Sequence, residues 1–352
     1  MTTTTSARDQ ANRAVSPASR ELHRHGKRSK THRRLRVVLC LLAGATLVTS
    51  TVIAVMFRHD MEEARARLAA QPTEIFQSSY GDIEYRVAGA GPTVLVSHGI
   101  TGGVDQAEAL VTQWRNFQPD QYRFIYVSRF GYLGSDLPDG ATARTQAAAY
   151  RELLDHLGVD RTFVVGKSAG GPSAMWFAID YPNRTDGLIL ISSAVPGPEP
   201  DYIPELVAKH DFIYWAAVKA APDKLLGLML PESVIAKLTE EQKDFAVRNA
   251  FIASMPISER TDGIVFDSKV TLPNLNQLPF EQIKPPTLIV QSTDDPREAA
   301  GGKEMARRIP NSTLIGFTGG HLLLGHETEI QQANAEFIAR HVSPNFGRQP
   351  AG

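Results

Sequence analysis

Val164-Val165-Gly166-Lys167-Ser168-Ala169-Gly170-Gly171 is the stretch that decides how this chain is read. Thr162 to Val165 is a short apolar run of strand character, and a helical pattern runs on to about Tyr181, ahead of Pro182. Between them one serine sits in a Gly-x-Ser-x-Gly turn. Glycine on both sides suits a backbone forced through a strained bend, because a Cβ at Gly166 or Gly170 would collide with the adjacent strand or helix. An ordinary Gly/Ser turn gives the same five letters, so the flanking sequence has to decide.

Outward from this turn, strands and helices alternate. Glu74 to Ser79 and Ile83 to Ala88, separated by Tyr80-Gly81-Asp82, predict an opening hairpin. Thr93 to Ser97 is a buried strand leading into His98-Gly99-Ile100-Thr101, and a helix follows over about Val104 to Phe117. Next come strand Arg123 to Val127, the loop Ser128 to Ser135, helix Thr142 to Leu157, and, after the serine turn, strand Gly187 to Ser192. Such alternation means right-handed crossovers and a mainly parallel sheet with helices on both faces. From about residue 196 to 281 the pattern is helical and Pro-punctuated: Ile203 to Ala221, Pro222 to Leu230, a segment from Pro231, and a helix started by the capping-box spacing Thr239-Glu-Glu-Gln242. Strand Thr287 to Gln291, helix Gly302 to Ile309, strand Thr313 to Phe317 and a helix from about Glu327 to His341 then resume the alternation. The interruption reads as a cap over the strand ends, where open α/β sheets bind ligands.

The N-terminal part is different in kind. Residues 1–36 hold ten Lys/Arg against Asp9 and Glu21, a net +8, while the whole chain is at −1, which leaves −9 for the rest. An acidic body argues against nucleic-acid binding. The tail has too few large apolar residues to offset its ordering entropy and is expected to be disordered. Val37 to Phe57 is free of charge over 21 residues, long enough for one membrane crossing, and residues 58–73 read as a stalk. Seven Lys/Arg between Arg24 and Arg36 put the N-terminus in the cytoplasm and the body, residues 74–345, outside. The rival reading is a cleaved signal peptide, with Ala64-Arg65-Ala66 its best cleavage site. The one cysteine, Cys40, lies in the apolar run, so the body has neither disulfide nor thiol chemistry.

A serine hydroxyl needs a base, and the base needs a partner that fixes its tautomer. Gly319-Gly320-His321 follows the last strand, and Thr293-Asp294-Asp295-Pro296 follows the one before it. The chain order is thus Ser, Asp, His. Taken together, Ser97-His98-Gly99, Arg129-Phe130-Gly131-Tyr132-Leu133-Gly134-Ser135, Gly166-Lys167-Ser168-Ala169-Gly170-Gly171, Asp295 and Gly320-His321 make the region from Glu74 to His341 resemble the α/β-hydrolase superfamily, in its serine-nucleophile branch. That resemblance implies Ser168 as nucleophile, His321 as general base and acid, and Asp295 as orienting acid. It also implies an oxyanion hole from the backbone N–H groups of Ala169 and Ile100. Ser292 stands where the family usually has glycine, which leaves Asp294 as the rival acid. Lys167 is an unusual neighbour for the nucleophile, read as a solvated or packed side chain or as a group favouring an anionic substrate. His98 reads as a loop brace and His326 as a weaker base candidate.

No metal-ligating motif and no Gly-rich phosphate loop is present, so no cofactor is expected. Serine at the turn implies acyl transfer to water, with an apolar carboxylic ester as the first choice of substrate. C–C bond hydrolysis, amide hydrolysis and perhydrolysis stand behind it, and a tethered scaffold without turnover is the reading from another class. The apolar cap residues Phe212, Ile213, Tyr214, Trp215, Leu225, Leu226, Leu228, Met229 and Leu230 are expected to form the cap core or to line an acyl pocket.

Overall fold

The computed structural model describes residues 17–112, 121–197 and 205–342. The chain divides into two units, Met1–Asp60 and Met61–Gly352. Helix α1, Pro17–Ala69, begins in the first unit and ends in the second, and it contains an apolar run long enough to cross a membrane. The tail from residue 17 onward was expected without structure, yet the helix begins at Pro17. Once the apolar segment has nucleated a helix, adding residues costs little, and most residues between Ser19 and Arg36 are Arg, Lys, Leu or Glu, which extend a helix readily. Residues 1–16 of the expected tail lie outside the described residues.

The second unit is built on an eight-stranded sheet in the order β1-β2-β4-β3-β5-β6-β7-β8. The strands are β1 Glu74–Ser78, β2 Gly81–Ala88, β3 Thr93–Ser97, β4 Arg123–Val127, β5 Thr162–Lys167, β6 Thr185–Ile191, β7 Thr287–Ser292 and β8 Ser312–Phe317. β1 and β2 run antiparallel to their neighbours, and β3 to β8 are parallel. Alternate side chains on the central strands feed two cores. Leu95, Ile125, Val164 and Leu188 pack against helices α3 (Ala143–His156), α4 (Gly171–Asp180) and α11 (Pro296–Arg308). Val94, Phe124, Val165 and Ile191 pack against α2 (Val104–Thr112) and α12 (Glu327–His341). Coverage of both faces is why β3 and β7 are buried along their whole length.

Between β6 and β7 the cap carries α5 Glu205–Lys209, α6 Asp211–Ala220, α7 Pro222–Leu226, α8 Glu232–Ile235, α9 Glu240–Val247 and α10 Thr261–Phe266. Thr239 caps α9 through the reciprocal Thr239–Gln242 pair that its spacing predicts. The single helix expected over Ile203 to Ala221 is two, with His210 between α5 and α6; residues 201–204 lie outside the described residues. Among the described residues, two ion pairs with buried arginines fasten the cap to the body. Arg129 Nη1 lies 2.7 Å from Asp267 Oδ1, and Arg260 Nη2 lies 2.7 Å from Asp105 Oδ2. Both arginines are buried.

Candidate active site

Ser168 is left-handed at φ 50°, a conformation that costs a non-glycine residue roughly 1–3 kcal/mol. Its neighbours explain how the turn can be so tight. A Cβ at Gly170 would lie 2.3 Å from the Ser97 carbonyl oxygen, and one at Gly166 would lie 2.7 Å from the Gly171 Cα. The bend lifts the Ser168 hydroxyl off the end of β5, and His321 Nε2 meets it at 2.9 Å. His321 sits on a one-turn 3-10 helix after β8, entered through left-handed Gly319 and Gly320.

On the other side of the imidazole the structure departs from expectation. His321 Nδ1 pairs with Glu298 Oε1, whereas Asp295 and Asp294 are engaged elsewhere. Asp294 accepts the N–H groups of Gly319 and Gly320, both at 3.0 Å, and so holds the histidine loop by its backbone. Asp295 is the N-cap of α11, its Oδ1 accepting from Arg297 N and Glu298 N at 2.9 and 3.0 Å. Glu298 is thus the third residue of that helix, where a glutamate ordinarily reaches back to the N-cap amide. Here Ser292 Oγ already accepts the Asp295 N–H at 3.1 Å, so Glu298 is free to turn toward the imidazole. The missed signal is the spacing Asp295-Pro-Arg-Glu298 itself, a helix start six residues before the one expected at Gly302.

Glu298 is buried. Burial pushes its carboxyl up, but His321, Lys167 and Arg297 together outweigh that and hold it below the ordinary glutamate value. An ionised Glu298 accepts from Nδ1–H, which leaves the Nε2 lone pair to accept the Ser168 hydroxyl proton. Burial also raises Asp294, and the Gly319 and Gly320 amides more than reverse it, so Asp294 too lies below its usual value. Lys167 Nζ donates to the His321 carbonyl at 3.1 Å, and burial pushes its ammonium down to about 8, with Glu298 pulling the other way.

The loop after β3 is held at almost every polar atom. His98 Nε2 accepts the Arg129 N–H at 3.0 Å, so Nδ1 carries the proton and donates to the Gly99 carbonyl at 2.7 Å. Burial keeps His98 neutral by driving its pKa well down, so it serves as the brace its sequence context implied. Arg129 Nη2 also reaches the Gly99 carbonyl, Gln106 Nε2 the Ile100 carbonyl, and Arg260 Nη1 the Gly102 carbonyl. Gly99 N–H donates to Gln106 Oε1 at 2.8 Å, and Gly102 N–H to the Gly99 carbonyl at 3.3 Å. Ile100 and Ala169, the expected oxyanion donors, both line the cavity beside Ser168.

That cavity measures about 780 Å³. Leu228, Met229 and Leu230 of the cap line it, together with Phe251 and Leu324. Tyr214, Trp215 and Leu226 are instead buried within the cap, and Phe212 and Ile213 are exposed. His326 bonds Thr318 at 2.9 Å, away from the nucleophile.

A family model described as alpha/beta hydrolase fold matches residues 92–327, and the chain belongs to that family. An uncharacterized protein of Mycobacterium tuberculosis (strain H37Rv) is 34% identical over 132 residues, 36% of this chain and 37% of that protein. The chain therefore spans little more than a third of the length of this relative. The 2-hydroxy-6-oxononadienedioate/2-hydroxy-6-oxononatrienedioate hydrolase of Burkholderia vietnamiensis is 26% identical over 281 residues, 73% of this chain and 91% of that enzyme. Among solved structures, an alpha/beta hydrolase fold protein from Nakamurella multipartita superposes with a TM-score of 0.58 at 25% identity, covering 75% of this chain and 98% of its own.

Proposed function

We propose that this chain is a membrane-anchored serine hydrolase that cleaves carboxylic esters with a Ser168–His321–Glu298 triad. The observation that carries the reading is the continuous line from Ser168 Oγ through His321 to a buried carboxylate, at a cavity lined in part by the apolar cap residues Leu228, Met229 and Leu230. Ser168 Oγ attacks the ester carbonyl carbon while its proton passes to His321 Nε2. The oxyanion that forms faces the Ala169 and Ile100 amides. The C–O bond then breaks, Nε2 returns the proton to the departing alcohol, and an acyl-enzyme remains. Water repeats the sequence and releases the acid. The short turn and helix α4 begin at Ser168, so the helix N-terminus, where the dipole favours negative charge, lies next to the nucleophile.

Packing at the C-terminal end of α1 supports retention of the N-terminal segment. Met61 and Ala64 are buried, and Arg67 Nη2 donates to the Ala253 and Met255 carbonyls at 2.8 and 2.9 Å. Cleavage at Ala64-Arg65-Ala66 would cut through a packed helix. The Burkholderia relative, similar over most of its length, gives C–C bond hydrolysis of a dienoate as the second reading. A fluorophosphonate probe should label the wild type and leave Ser168→Ala unlabelled. A panel of esters graded by acyl length, beside amides and a 2-hydroxy-6-oxodienoate, should show esters turned over fastest. A folded wild type that neither labels nor turns over any ester would refute the reading, and faster dienoate turnover would replace it with the second.

A further inference from the structure

The backbone of His321 is gripped from two sides by opposite charges. Asp294 accepts the two amides entering the histidine turn, and Lys167 donates to the carbonyl of His321 itself at 3.1 Å. Lys167 is the last residue of β5, directly before the nucleophile, so this bond ties the strand that presents Ser168 to the loop that presents the base. Its side chain lines the cavity beside Glu298 and His321. The charged group acting on it from α11 is Glu298, on which Arg297 of the same helix also acts; from the loop after β8 it meets the His321 carbonyl.

We propose that Lys167 is a positioning residue for the catalytic base: its ammonium holds the His321 carbonyl, keeping Nε2 on Ser168. The inference rests on the serine-hydrolase reading above. It accounts for a lysine where the mechanism itself needs no charge. A charge-assisted hydrogen bond is about twice as strong as a neutral one, so the grip weakens when the ammonium loses its proton. Burial brings that loss down to about 8.

The test compares wild type, Lys167→Met and Lys167→Arg with one short-chain ester across pH. Removing one charged hydrogen bond should lower kcat in Lys167→Met roughly 10- to 100-fold, with KM changed less than about 2-fold. Wild-type kcat should decline above about pH 8. That decline should be missing in Lys167→Met and absent from the accessible range in Lys167→Arg, whose guanidinium stays charged and keeps most of kcat. Rescue by arginine together with a displaced alkaline limb is a result that lost packing alone does not produce. If Lys167→Met fails to fold, the limb of Lys167→Arg decides: one still near pH 8 overturns the proposal. So does a Lys167→Met enzyme with wild-type kcat and profile, or one in which KM alone rises, since that would make Lys167 a substrate contact. A wild type without ester turnover would refute the hydrolase reading instead, and it is measured first.

Discussion

Replacing Glu298 by glutamine tests the acid directly. The variant keeps the shape of the side chain at His321 Nδ1 and removes its charge. When His321 takes the serine proton, the new imidazolium faces a buried carboxylate in hydrogen-bond contact. Unit charges about 4 Å apart at an effective dielectric near 20 attract by about 4 kcal/mol. Lost from the transition state, that is about three decades in kcat. A glutamine amide can also donate to Nδ1 and leave the proton on Nε2, where it blocks acceptance from Ser168, so the expected fall is about 10³- to 10⁴-fold. The assay is kcat on a chromogenic short-chain ester at neutral pH, with the fluorophosphonate labelling rate as a second measure. Asp295→Ala is the control. It removes the cap of α11, costs about 1 kcal/mol of stability, and leaves kcat within about tenfold. A thousandfold loss in Asp295→Ala or Asp294→Asn, with Glu298→Gln within tenfold of wild type, would refute the assignment.

Three further outcomes follow from the same contacts. Asp294 lies below its usual value in the fold, so its stabilisation is fully present above the unfolded-state pKa and is lost as pH falls through the lower folded one; the Tm difference between wild type and Asp294→Asn should be large at neutral pH and shrink in acid, and a pH-independent difference would contradict this. Arg129→Met should lower the urea unfolding free energy by about 3–5 kcal/mol, because the Asp267 charge is left buried without its cation, with only the Tyr132 hydroxyl still donating to it. The double variant Arg129→Met/Asp267→Leu should recover much of that loss, and a neutral single variant would sink the argument. Protease added to intact cells stripped of their wall should digest the hydrolase unit, while protection until lysis would reverse the proposed topology.

The sheet was legible because its signals are local and redundant. β3 and β7 are continuous apolar runs, and the special residues fall at strand ends, so Ser168, His321 and the β3 loop could be placed by order alone. The acid was not, and the reason is Gly301-Gly302. Two adjacent glycines lower helix propensity by about 1 kcal/mol each, so the helical pattern read from the sequence starts only at Gly302. Packing demands them: a Cβ at Gly301 would lie 2.3 Å from the Val195 Cβ, and one at Gly302 3.0 Å from Gln291 Cγ. Tertiary contact overrides propensity, α11 starts at Pro296, and Asp295 becomes its cap while Glu298 meets His321. The break at His210 escaped notice because a one-residue interruption leaves little mark on a helical hydrophobic pattern. Lys167 could not be interpreted before His321 was placed, since its partner is a carbonyl 154 residues away.

Seating the carboxylate that meets His321 on α11 has a thermal consequence. An acid on a strand-end loop can be displaced by local fraying while the rest of the fold persists. Glu298 moves only if the first turn of a helix capped by Asp295 and pressed onto Val195 and Gln291 comes away from the sheet. Heat inactivation should therefore coincide with cooperative unfolding of the domain, with no inactive yet folded species between them.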